Sequence, residues 1–154
     1  MVFTPRKEDP LYDVLEPVVS GLGMSLVELS VSRHKGSVQV RATVAKKGVV
    51  GVADCSKVHR SVVPRLELAY PDQELYVEIA SPGIDRTIRD ASEFLYYIGR
   101  GVRCYRTDIS DWTAGILERA DERSLSLRGK DGSVELSYDT IAKAKLDYSQ
   151  EVED

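Results

Sequence analysis

One short stretch divides this chain into two unlike halves. In Ser81-Pro82-Gly83-Ile84-Asp85-Arg86, proline pre-sets φ for the second position of a turn and glycine tolerates φ > 0 at the third. Together they predict a type II turn. Upstream, apolar residues recur at helical spacing between runs of alternating polarity. Downstream, after one short helix, only short alternating runs remain. A chain of 154 residues that changes periodicity at such a turn has room for two small domains, expected at 1–88 and 89–154.

The first half predicts the order α-β-β-α-β. Met1 to Glu8 reads as a loose, charged tail. Asp9-Pro10 is a helix start, with Asp as N-cap and Pro at the first helical position. Leu11, Val14, Leu15, Val18, Val19 and Leu22 then form one apolar stripe, with a kink expected at Pro17 and Gly21 and Gly23 as C-cap. Leu26–Ser32 and Val38–Val44 alternate around His34-Lys35-Gly36 and predict a hairpin with Val27, Leu29 and Val31 on one face. Asp54 is expected to cap a second helix that ends near Val63 and restarts at Pro64. Leu75, Val77 and Ile79 form the third strand. Two helices on one face of a three-stranded sheet would cover its apolar side.

In the second half, Asp90 with Glu93 three residues on is a capping-box helix start, with Phe94, Leu95 and Ile98 as its apolar side. Five strands are predicted, at Val102–Arg106, Trp112–Glu118, Ser124–Arg128, Val134–Ser137 and Ile141–Leu146. Short strands in this number suggest a small closed Sm-like or SH3-like β-barrel, because closure removes exposed edges. The fold class is therefore α+β. The tail from Gln150 is acidic, and disorder is expected there.

Composition narrows the function. No apolar run approaches the length of a membrane helix, and Met1 to Lys7 lacks a signal-peptide core, so a cytoplasmic protein is expected. Cys55 and Cys104 have no metal or redox spacing and read as reduced structural thiols. The formal charge is −4, with eleven residues of each sign through Ile88 and ten basic against fourteen acidic from Arg89 on. The acidity thus lies in the second half, which suits a basic protein partner. Phosphate-binding, zincin and nucleophile-elbow motifs are absent, and His34 and His59 stand apart from any candidate partner, with His59 expected to be half-buried. No enzyme, metal or cofactor is expected. Gly48-Val49-Val50-Gly51 matches the G-x-x-G of KH domains, but lies between a strand and a helix instead of between two helices. Tyr96, Tyr97, Tyr105 and Tyr138 could stack on bases, yet no basic-aromatic interleaving of RNP type accompanies them.

From about Leu11 to Tyr148 the sequence resembles the bacterial ribosome maturation factor RimP family. The most specific segment is Leu75 to Arg86, a strand followed by S-P-G-I-D-R. Leu15-Glu16-Pro17-Val18-Val19, the Glu93-Phe94 to Gly99-Arg100 helix and Ile141 to Leu146 fit as well. Relatives usually carry Pro-Leu after the arginine, where this chain has Thr87-Ile88, implying a looser linker. The Lys46–Gly51 loop is short and basic where relatives tend to be acidic or glycine-rich. The resemblance implies an Sm-like second domain and a cytoplasmic, monomeric assembly factor for the small (30S) ribosomal subunit or its precursor. Its implied partners are the basic ribosomal protein of the decoding centre and nearby rRNA. The alternative reading is an autonomous Sm-like or KH-like RNA-binding module.

Two residue sets follow. Ser81, Pro82, Gly83, Asp85 and Arg86 are expected to be hinge and interdomain residues. Arg89, Arg100, Asp108, Asp111, Trp112, Glu118, Asp121 and Glu122 are candidates for partner binding, the acids toward a basic protein, Arg89 and Arg100 toward rRNA or the other domain, and Trp112 as an anchor or equally as barrel packing.

Overall fold

The structure is a computed structural model that describes residues 1–5 and 9–151. The chain separates into two compact units, Lys7–Pro82 and Met1–Arg6 with Gly83–Asp154. The cut falls between Pro82 and Gly83, whereas the sequence suggested a single division after Ile88. The reason is that Thr87–Ile88 pairs as a strand in the second sheet.

The first unit contains α1 (Pro10–Gly21), β1 (Ser25–His34), β2 (Ser37–Ala45), α2 (Val52–Ala69) and β3 (Glu74–Ala80). The Asp9 carboxylate accepts from Leu11 N at 2.9 Å, the expected N-cap. At the other end Gly23 N donates to Ser20 O and Met24 N to Val19 O, with Gly23 at φ 78°. This is a Schellman close in which only glycine adopts the left-handed position without strain. The sheet order is β1-β2-β3. The β1–β2 pair is antiparallel and joined by a tight turn. The β2–β3 pair is parallel, so it needs a crossover, and α2 supplies it.

Leu11, Leu15 and Val19 from α1 and Val58, Val62 and Leu66 from α2 share one buried core with Val38, Val40, Ala42 and Val44 of β2. Both helices therefore cover the same sheet face, as expected. Val14 is an exception, left 41% exposed. The β1 register also departs from the expectation. A bulge between Leu26 and Glu28 inserts one residue, so Leu26 joins Leu29 and Val31 on the core side, and Val27 is buried outside that cluster. An extra residue in a strand reverses the facing of all that precede it. α2 is one uninterrupted helix, not two. Pro64 is exposed, so the carbonyl freed by its missing N–H can be solvated. Its N-cap is Gly51, and Asp54, three residues in, accepts from Gly51 N at 2.9 Å. His59 is exposed rather than half-buried.

The second unit contains β4 (Thr87–Ile88), a 3-10 helix (Ala91–Tyr96), β5 (Gly101–Arg106), β6 (Asp111–Ala120), β7 (Ser124–Gly129), β8 (Gly132–Ser137) and β9 (Ile141–Leu146). All five predicted strands are present. The sheet runs β4-β9-β5-β6-β7-β8 with every ladder antiparallel. The expected closed barrel is not formed: among the described residues no ladder joins β4 to β8. The linker expected to be loose at Thr87-Ile88 is instead the edge strand, with Ile88 only 1% exposed.

The short helix starts as predicted, with Asp90 as N-cap and Glu93 completing the box. Its buried face differs. Ala91, Phe94 and Tyr97 are buried, while Leu95 and Ile98 are exposed. A 3-10 helix repeats every three residues, so positions 91, 94 and 97 align.

Met1 to Pro5 is no loose tail. The Met1 ammonium donates to Tyr138 O and Ile141 O, both at 2.7 Å, and Val2 O accepts from Ala91 N. Phe3 stacks on Tyr138, which stacks in turn on Phe94. Arg6 to Glu8 lie outside the described residues. At the other terminus a short 3-10 turn, Tyr148–Gln150, orders the first residue of the tail expected to be disordered, and Glu151 grips Arg100 at 2.8 Å. Val152 to Asp154 lie outside the described residues.

Candidate functional site

The connection between the units does not bend where its Pro-Gly pair predicted. Gly83 is absent from the positive-φ positions, and the reversal is closed by Arg86 N donating to Gly83 O at 3.0 Å. The turn is therefore Gly83 to Arg86, with Ile84 and Asp85 at its centre. Ser81 and Pro82 end the first unit. Asp85 is exposed, and its carboxylate has no ion-pair partner among the described residues.

Arg86 makes a paired contact inside the second unit. Its Nε and Nη2 donate to Glu93 Oε1 at 3.2 and 2.8 Å. Glu93 Oε2 accepts from Arg89 N and Asp90 N at 2.9 and 3.2 Å. One carboxylate thus fixes the arginine, the helix start and the strand leading into it. Asp90 in turn accepts from Ser92 N, Ser92 Oγ and Thr4 N. Burial acts to raise the Asp90 carboxyl, but the hydrogen bonds from Ser92 and Thr4 outweigh it and hold its pKa below the ordinary value.

The candidate arginines differ. Arg89 is exposed and available. Arg100 is only 6% exposed and tied to Glu151, so it is a structural cation and not a surface contact for rRNA.

The five candidate acids do not form one face. Asp108 pairs with Arg106 at 2.7 Å, which holds its carboxyl below the usual range. Asp111 accepts from the backbone N of Trp112. Asp108 lies in the turn just before β6 and Asp111 at its first position. Asp121 lies beyond its other end, accepting from Arg123 N and Ser124 N and pairing with Arg119. The backbone donors are the main reason its pKa is lowered. Glu122 is exposed beside it. Ten strand residues at about 3.3 Å each separate the two groups by roughly 30 Å. Glu118 accepts from Ser133 Oγ at 3.1 Å.

Trp112 sits in a cluster that sequence reading missed. Its indole meets the Tyr105 ring edge-on at 5.5 Å. The Arg103 guanidinium lies 5.1 Å from the indole centroid, and Lys143 Nζ lies 5.5 Å from both ring centroids. Register explains the assembly, since Tyr105 pairs with Trp112 on β6 and with Lys143 on β9. The signal was present only as alternation, Arg103-x-Tyr105 and Lys143-x-Lys145, on strands far apart in sequence. Tyr97 and Tyr138 are buried, which removes them as base-stacking candidates.

In the first unit a groove runs between the start of α2 and the end of β3, lined by Val50, Val52, Cys55, His59, Ile79 and Ser81 among others. Arg60 lines it too, and on the same helix Lys57 and Arg65 are exposed. Among the described residues these three cations have no ion-pair partner. No group of three or more His, Cys, Asp or Glu side chains among the described residues could hold a metal ion. No helix among them is long and apolar enough to cross a membrane.

The family model described as the RimP N-terminal domain matches residues 14–85. The match spans the chain from within α1, through both helices and all three strands of the first unit, to Asp85 in the Gly83–Arg86 turn. The α-β-β-α-β unit and the S-P-G-I-D segment thus match the RimP N-terminal domain, which supports membership of the RimP family of ribosome maturation factors.

Proposed function

We propose that this protein is an assembly factor for the small (30S) ribosomal subunit, acting in the cytoplasm by binding a basic ribosomal protein of the decoding centre and nearby rRNA. The observation that carries this reading is the RimP N-terminal domain across residues 14–85. The acidic balance of the second half supports a basic protein partner, because complementary charge raises the encounter rate more than the affinity. The separation of the acids divides that contribution into two sites. Asp108 and Asp111 belong to one end of β6, Asp121 and Glu122 to the other, with Asp108 and Asp121 already paired to arginines. Glu122 is the acid we expect to contribute most. The hinge role assigned to Ser81, Pro82, Gly83 and Asp85 is kept in this reading. Arg86 is kept in it as well, with its guanidinium also paired to Glu93.

Co-sedimentation tests the proposal. Purified protein is expected to travel with free small subunits and their precursors at low salt and not with large subunits. Failure to associate with either small-subunit species overturns it. Binding to naked RNA with no preference for the subunit would favour the autonomous RNA-binding module instead.

A further inference from the structure

We propose that the outer face of the second sheet, across β9, β5 and β6, binds single-stranded RNA, with Trp112 and Tyr105 stacking on bases and Arg103, Lys143 and Lys145 meeting phosphates. This deepens the proposed function, on which it rests only for RNA being within reach.

The strand registers place these residues on one side. Arg103 pairs with Ala114 and Lys145, and Tyr105 with Trp112 and Lys143. The intervening Val102, Cys104, Ala144 and Leu146 are buried on the opposite side. The face therefore carries three cations and two aromatic rings with no carboxylate on these three strands between them.

Its charge is not neutralised. Arg86, Arg100, Arg106, Arg119 and Arg128 of the same unit are each paired with a carboxylate. Arg103, Lys143 and Lys145 meet none among the described residues. Arg103 and Lys143 are held over aromatic rings instead, which orients a cation without cancelling its field. Arg103 Nε is also buried without a hydrogen-bond acceptor. In a chain of net charge −4, an unneutralised basic patch selects a polyanion. Partly exposed rings within it select one with planar groups to stack, which is unpaired nucleic acid and not a duplex or an acidic peptide.

Trp112 is the only tryptophan, so its fluorescence reports the face directly. Titrating the full chain with a 12-nucleotide mixed-sequence RNA is expected to quench it. Three phosphate contacts predict a loss of affinity of roughly tenfold to twentyfold between 50 and 200 mM salt. Lys143→Glu with Lys145→Glu is expected to weaken binding at least tenfold at low salt. Trp112→Leu, read by anisotropy of labelled RNA, is expected to weaken it about tenfold. Circular dichroism melts verify that the variants fold.

Absence of quenching, a double variant that binds as the parent does, or Trp112→Leu without effect would each overturn the inference. So would equal affinity for polyglutamate of matched charge. Sedimentation keeps the two readings apart. Protein that travels with the small subunit yet shows no quenching refutes this inference alone. Protein that binds RNA through Trp112 but ignores the subunit supports it while the assembly reading fails.

Discussion

Arg86 and Glu93 form a fork, Nε and Nη2 of the arginine both donating to one carboxylate oxygen, with side chains only 19% and 14% exposed. The pair locks the first residues of the second unit onto its first helix. It also gives Arg86 a bracing role within the second unit.

Because the glutamate also caps two backbone N–H groups, the two truncations should differ. Glu93→Ala removes the fork and two backbone acceptors, and is expected to cost about 2–3 kcal/mol; Arg86→Ala should cost about 1–2 kcal/mol. Urea unfolding of the two variants checks the order. Equal losses would mean that the caps on Arg89 N and Asp90 N contribute nothing.

Asp90 should leave a mark on the acid limb of stability. Its folded pKa lies below its ordinary value of 3.8, so its carboxylate contributes stability above that value. This contribution is lost as pH falls through the folded pKa. Asp90→Asn keeps a capping oxygen but cannot titrate. The gap in unfolding free energy between parent and variant should therefore narrow as the pH is lowered from 6 toward 2, measured by denaturant titration at each pH.

The two thiols should separate cleanly. Cys104 is fully buried, and burial pushes its pKa up to about 12. Cys55 is partly exposed, its pKa raised by burial and then by the neighbouring Asp54. At pH 8 a disulfide reagent should modify one thiol per native chain, more slowly than a free thiol, and the second only in denaturant. Rapid modification of both in the folded protein would contradict the burial of β5.

Two strand glycines are required by close approach and not by turn geometry. A Cβ at Gly115 would lie 2.6 Å from Arg128 O, and one at Gly101 would lie 2.1 Å from Asp147 O. Neither obstacle is a flexible side-chain end. Gly115→Ala and Gly101→Ala are each expected to destabilise the second unit by about 2–3 kcal/mol. Gly129→Ala, whose nearest atom would be at 3.4 Å, should cost less. Thermal melts of the three variants rank them.

The sequence by itself determined what depends on residues a few positions apart. The Asp9 and Asp90 caps, the stripe through Leu11, Leu15 and Val19, the β1–β2 hairpin and the positions of five later strands were all legible, because caps, periodicity and turns are local. Tertiary structure decided the rest. The bulge at Val27 changed the facing of β1, and the pairing of Thr87–Ile88 with β9 turned an expected linker into a strand. Strand length put Asp111 and Asp121 at opposite ends of β6. Antiparallel register gathered Arg103, Trp112 and Lys143 from three strands. A periodicity of two tells which residues share one face of a strand, but not which strand lies alongside. That choice belongs to long-range ladders, and so does the question of which charges find a partner and which remain free to meet another molecule.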